Sequence, residues 1–502
     1  MKKALFAATL FAFALSSCGS TPSSSASIPQ GSSDKTSAQS ATESTTESLP
    51  DSTTATTSVP TETSSASESS ASSQAEPLMD IEYDYSFQSI LITDEEGNPY
   101  NLSTKLAYHD NFFAESGEAF NKDLALMSFA ASTMSDTKAN SQSFYQSLGF
   151  DNVVHSPDYD VDETKDTILY NIAHKTIEGV NVVALSACSS HGYKLPWLNN
   201  FNIGKTGNAA GFQSGSDKLK TALNTYLQSY DGQPVKLWLS GYSRTAALLN
   251  ILSSELLEAQ VVTEENMYSY LFETPKVMDV AAIQPHPSIH NVVNRNDPIQ
   301  SFFPDEFGLG RAGVDIDIYD ENATAVAAAF DSHIVLPEFM AEEGYYSSDE
   351  EFLQFVHDAL LVDLSNEDPT SYVPDMHNRE NFVDNHYQEY FATLISAIQS
   401  MSSEATAALL AEIEGNPFAV IATDGLYAMI KAQLDAEGIA YDDEGLRNAC
   451  NDIIDFVMYD APTVLLVVGT DSGKNNFQRL ADFHAPELVV PLLLNYQAAE
   501  AE

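Results

Sequence analysis

The chain has 502 residues, 43% of them hydrophobic, with 72 acidic against 22 basic side chains and a formal net charge of −50. That length accommodates one large domain or two ordinary ones, and a surface of that sign makes nucleic acid a poor partner because nothing would neutralise phosphates. The acidity is spread along the chain, so it reads as solubilising surface and not as a binding patch.

Residues 1–18 read as a lipoprotein signal peptide. "MKKALFAATLFAFALSSCGS" opens on two lysines, continues with an apolar run too short to cross hydrocarbon, and ends in small residues. Leu15-Ser16-Ser17-Cys18 resembles the bacterial lipobox, in which the cysteine is diacylated and becomes the mature N-terminus. Lipid on Cys18 would supply membrane affinity through buried methylenes. The protein is then expected on the extracellular face of the cell membrane, lipid-anchored; an ordinary cleaved signal is the alternative. Residues 19–77 are Ser, Thr, Ala and Glu with almost no large apolar side chains, a composition that cannot offset its ordering entropy. They are expected to form a disordered tether.

From residue 78 to 502 the pattern changes. Residues 121–148 have apolar spacing of three and four and read as helical. Four short apolar runs follow: 180–187 (VNVVALSA), 235–241 (VKLWLSG), 267–275 (MYSYLFETP) and 289–294 (IHNVVN). Separated by helical stretches, they predict a mostly parallel sheet covered on both faces. Residues 323–460 turn mainly helical and read as a large insertion, a cap over a site. A last amphipathic segment, about 475–496, is expected to be broken or kinked at Pro486 and Pro491.

Candidate chemistry gathers beyond the strand ends, where open α/β sheets carry their functional groups. Ser243 follows Gly241 at a strand-to-helix corner that would expose its Oγ and set the backbone N–H of Arg244 at a helix N-terminus, where an oxyanion is stabilised. A plain N-cap serine is the alternative. Asp297 lies just past the 289–294 strand, and His484 lies near the C-terminus in an apolar helical setting. An Asp before Pro also suits a turn, and a buried histidine also suits a core. Together the three run Ser, Asp, His, an order in which His484 takes the serine proton and Asp297 holds its tautomer.

The blocks "LWLSGYSRTAALLNILSSEL", "YLFETPKV", "NVVNRNDPIQSFFPDEFGLGRAG" and "HAPELVVPLL" resemble those of class 3 lipases, in the bacterial lipase-like branch. "VNVVALSACSSHGYKLPWLNNFNIG", ending its oxyanion loop at Trp197, and "AFNKDLALMSF" resemble the family's upstream blocks. The resemblance implies an α/β-hydrolase fold and ester hydrolysis through an acyl-enzyme, with no metal and no cofactor. By motif, Ser243 becomes the nucleophile, Asp297 the acid and His484 the base. The implied substrate is a carboxylic ester, acylglycerol-like. An esterase for acylated polysaccharide and a non-catalytic surface lipoprotein that keeps the fold for binding are the other readings.

Three departures stand out. The elbow's second glycine is Thr245, expected to crowd the turn, so Thr245→Gly is expected to keep or raise turnover. Tyr242 replaces the histidine before the serine, and Cys188-Ser189-Ser190-His191 stands where the family has Arg-Gly, leaving Ser189 or Ser190 as an oxyanion donor. His386 is a second candidate base, set aside for His484.

Weaker patterns remain. Asp158, Asp160 and Asp162 open like a calcium loop, but position twelve is Leu169, and a solvated acidic turn is the expectation. His286 and His290 are interrupted by Pro287, so no metal is assigned. Tyr345, Tyr346 and Phe352 suit either an acyl pocket or core. Cys188 and Cys450 could pair, without implying an oxidised scaffold.

Overall fold

The computed structural model describes residues 77–93, 99–160, 167–189, 199–200, 202–295, 297–301, 303, 307–320, scattered positions between 322 and 334, 387–415, 417–420, 422–455 and 484–497. A long antiparallel hairpin comes first, β1 (Asp80–Thr93) with β2 (Pro99–His109). The helical pattern over 121–148 forms two helices, α1 (Lys122–Thr133) and α2 (Lys138–Ser147). Asn121 and Thr137 each cap one of them, accepting from the amides of Leu124 and Asn140. A second cap inside the run ends one helix and starts another.

The central sheet has seven strands. They are β3 (Asp151–His155), β4 (Ile168–Ile177), β5 (Val180–Ser189), β6 (Val235–Tyr242), β7 (Met267–Phe272), β9 (Ile289–Val293) and β11 (Val314–Asp317), with a short pair, β8 (Met278–Asp279) and β10 (Leu309–Gly310), outside it. The order is β11-β9-β7-β6-β5-β4-β3. All pairings from β5 to β11 are parallel, and β4 and β3 add antiparallel at one end. The four strands read from the sequence are therefore contiguous, β5-β6-β7-β9. Helices α3 (Ala210–Leu227) and α4 (Arg244–Glu258) flank β6 in the chain and supply crossovers.

Strand residues alternate between two cores, as a period of two requires when both faces are covered. Val183, Leu185, Leu237, Leu239, Met267 and Leu271 join one core with α3 and α4. Val182, Ala184, Trp238, Tyr268, Tyr270 and Phe272 join the other, with the hairpin, α1, α2 and the C-terminal α10 (Pro486–Asn495). The second core is rich in aromatic rings whose polar atoms are satisfied: Trp238 Nε1 donates to Ser128 Oγ at 2.7 Å, and Tyr145 OH to Ser186 Oγ at 2.7 Å.

Helix α4 is buried along nearly its whole length, including Asn250. That amide donates to Asn291 Oδ1 and the Ala312 carbonyl and accepts from the Ala312 N–H, all within 3.0 Å. A buried polar group so satisfied fixes the position of α4 against β9 and is not a liability. Within 323–460 the described residues form α5 (Tyr387–Ser400), α6 (Ser403–Gly415), α7 (Pro417–Val420), α8 (Gly425–Glu437) and α9 (Asp443–Asp455). Their apolar faces, Leu394, Ile398, Ile430 and Ile453 among them, join the core on the α4 side.

Pro486 opens α10, as a proline at a first turn should. Pro491 does not break it. The helix runs on to Asn495 because Leu488, Val489, Val490, Leu492 and Leu493 are all buried, and that packing outweighs the roughly 3 kcal/mol a mid-helix proline costs. Among the described residues no helix is long and apolar enough to cross a membrane.

Candidate active site

The site gathers at the carboxyl ends of the parallel strands. Ala187 of β5 pairs with Gly241 of β6, so Ser189 and Ser243 lie at the same level, each two residues further on. Tyr242 pairs with Phe272, so Glu273 follows at that level too, and Phe272 pairs with Val292.

Ser243 has φ 58° and ψ −127°, and its side chain makes no capping hydrogen bond to α4. A non-glycine residue in that region costs about 1–3 kcal/mol and persists only where the surroundings over-determine it. Here they do. The Ser243 amide donates to the Phe272 carbonyl at 2.9 Å, and its carbonyl accepts from Ala247. Gly241 makes the sharp corner feasible, since a Cβ there would stand 2.9 Å from the Ala246 nitrogen and 2.8 Å from Leu249 Cδ1. The N-cap alternative for Ser243 loses its main support, because capping needs the side-chain bond that is lacking.

Thr245 does not crowd the corner; it ties it together. Fully buried, its hydroxyl lies 3.0 Å from the Ala187 carbonyl and 2.9 Å from the Tyr242 carbonyl, and accepts from the Tyr242 amide at 3.2 Å. The expectation of strain at Thr245 is therefore corrected: the side chain joins the ends of β5 and β6 in space the fold provides.

Asp297 and His484, 187 positions apart, meet directly. His484 Nδ1 lies 2.5 Å from Asp297 Oδ2, with the Asp297 side chain fully buried and that of His484 17% exposed. Asp297 Oδ1 accepts the Ile299 amide at 2.9 Å, so both carboxylate oxygens are engaged. The segment carrying Asp297 runs from β9 into a 3-10 turn, Pro298–Ser301. His484 lies in the turn before α10, not inside a helix as its apolar context suggested. Its ring stacks on Tyr242, with centroids 4.9 Å apart and planes 15° apart. The Asp297–His484 pair thus touches Tyr242, the residue before Ser243 in the chain.

Arg244 begins α4, where backbone amides have no acceptor within the helix. Its side chain is 5% exposed and its Nε donates to Asn200 Oδ1 at 2.9 Å, tying the segment after β5 to the corner. Ser189 ends β5 half-buried. Cys18, Ser190, His191, Trp197, Tyr345, Tyr346, Phe352 and His386 lie outside the described residues.

Sequence reasoning missed Glu273. Its side chain is buried, its φ is +48°, and its carboxyl oxygens accept the Asn294 amide at 3.0 and 3.1 Å. Gln300 Nε2 donates to it at 3.2 Å. Burial, and then the neighbouring Asp297 carboxylate, push its pKa well above the usual carboxylate range. An acidic residue closing the apolar run "MYSYLFETP" was the available signal.

The other patterns separate. His286 Nδ1 lies 2.7 Å from Glu264, whereas His290 Nε2 donates to the Gly117 carbonyl at 2.9 Å. Asp158 accepts the Ile168 amide and Asp160 pairs with Lys138; residues 161–166 lie outside the description. Cys188 and Cys450 are free thiols, each pushed up to about 12, chiefly by burial. No family model matches the chain, and no curated protein matches it.

Proposed function

We propose that the chain is a serine hydrolase of carboxylic esters, built on an α/β-hydrolase fold and related to the class 3 lipases. The observation that carries the reading is the strained Ser243 corner, whose neighbour Tyr242 stacks on the His484 of a half-buried Asp297–His484 pair. A strained non-glycine corner next to such a pair is expected at a functional site.

In the proposed reaction Ser243 Oγ attacks the ester carbonyl while His484 takes its proton. The tetrahedral oxyanion is met by the Arg244 backbone N–H at the start of α4, with Ser189 as a second donor. His484 then returns the proton to the departing alcohol, leaving an acyl group on Ser243. Water, deprotonated by His484, attacks that acyl-enzyme, and the collapse releases the acid as His484 returns the proton to Ser243 Oγ. Asp297 holds the Nδ1–H throughout and stabilises the imidazolium. No metal or cofactor is required.

An acylglycerol-like ester is the proposed substrate, reached from the membrane to which Cys18 tethers the protein through residues 19–77. The test is to treat the full chain with a fluorophosphonate probe and map the adduct. Modification at Ser243, with Ser243→Ala folded, unlabelled and slower by several orders of magnitude, supports the reading. A folded wild-type protein that neither labels nor turns over a short-chain nitrophenyl ester would leave the non-catalytic binding reading in its place.

A further inference from the structure

Behind Asp297 lies a second carboxyl that the proposed reaction does not use. Glu273 closes β7 one residue after Phe272, with a left-handed backbone that aims its side chain under the segment leaving β9. The Asn294 amide donates to both its oxygens and Gln300 Nε2 donates to one. The Asn294 carbonyl accepts the Asp297 amide and the Asp297 carbonyl the Gln300 amide, so the buried Glu273 carboxyl is held within the turn that carries Asp297. Asp297 in turn touches His484 and the Ile299 amide. We propose that Glu273 is a positioning residue: its carboxyl carries a proton that it donates to Asp297, holding the Asp297 carboxylate against His484.

The proton is required by the packing. Two carboxyl groups buried side by side in one turn cannot both be ionised without a large repulsion, and one proton shared between them relieves it. A neutral carboxylic acid still accepts from Asn294 and Gln300 while donating its O–H. The charged groups around it agree with this assignment. From the segment after β9 comes Asp297, and beyond it His484 from the turn before α10. From the loop between β10 and β11 comes Arg311, which reaches Gln300 Oε1 and the Thr274 carbonyl and pairs with Asp315, not with Glu273. Burial without a direct cation raises the Glu273 carboxyl well above its ordinary range.

This role rests on the serine-hydrolase reading, but part of its test does not need turnover. The proton bridging His484 and Asp297 should give a far-downfield resonance, assigned by its absence in His484→Ala. In the full chain, Glu273→Gln supplies a permanent amide donor to Asp297. It should keep that resonance, keep kcat within about threefold, and leave the acid limb of the kcat/KM profile in place. Glu273→Ala should lose or shift the resonance and lower kcat roughly ten- to hundredfold with KM unchanged, because the acid and base lose their alignment. A resonance and kcat unaffected in Glu273→Ala overturn the proposal. So does an acid limb that moves to lower pH in Glu273→Gln, which would mean that the substitution had deleted a negative charge. If Glu273→Ala does not fold, the Glu273→Gln profile and resonance decide. Should the wild type resist the fluorophosphonate, the hydrolase reading fails, while the resonance still tests Glu273.

Discussion

Thr245 illustrates how one side chain changes meaning when its partners are known. A β-branched residue two after the serine looked like lost room, yet its hydroxyl joins the Ala187 and Tyr242 carbonyls and receives the Tyr242 amide. Buried backbone groups left without a partner cost about 1–3 kcal/mol each. Thr245→Gly is therefore expected to lower both stability and turnover, reversing the expectation from motif alone. Thr245→Ser should retain most of both, and Thr245→Val, of similar shape without the hydroxyl, should fall near the glycine variant. Thermal melts and nitrophenyl ester rates on the three would decide; a faster glycine variant would return the strain argument to favour. The Ser243 corner, the Asp297–His484 pair and Thr245 all depend on the same few backbone atoms, so their substitutions should not add independently.

At the corner between β6 and α4 strand and helix approach closely. Gly241 is the enabling residue, because any Cβ there meets backbone of α4 at Ala246 and the Leu249 side chain. Its neighbours cannot yield easily: α4 is buried along nearly its whole length and pinned by Asn250. Gly241→Ala is expected to cost about 1–3 kcal/mol of stability by overpacking and to displace Ser243 enough to lose most fluorophosphonate labelling. Normal labelling in a protein of unchanged melting temperature would show that α4 can shift without moving the serine. The C-terminal α10 answers to a similar balance, since a buried apolar face carries it past Pro491.

Taken entire, the chain joins an acidic body to an N-terminal segment proposed to be a lipoprotein signal, and the two need not depend on each other. Diacylation of Cys18 is proposed to hold the protein at the membrane, with a Ser/Thr-rich spacer between anchor and body. Cys18→Ala should move the protein from the membrane fraction to the soluble fraction while leaving its melting temperature and esterase rate unaltered. A variant that stays with the membrane after a high-salt wash would assign the anchoring to another part of the chain.

Much of this was open to a reader of residues alone. The four apolar runs, their separation by helical stretches and the glycine-serine corner sufficed for a mostly parallel sheet, because burial on both faces demands continuous apolar strands. They also pointed to Ser243, Asp297 and His484 as candidates. The hairpin, β3, β4 and β11 were not legible, since half-polar strands lack that run and are identified by the partners they pair with. Nor was Glu273 as a member of the site, nor the contacts of Tyr242 and Thr245, which the sequence showed only as departures at the elbow. Glu273 is distinguished by burial against Asp297, Tyr242 by its stacking on a ring 242 positions later, and Thr245 by carbonyls from two strand ends. Periodicity records which face of an element is apolar, whereas a polar residue's role depends on the desolvation and the partners that distant segments bring to it.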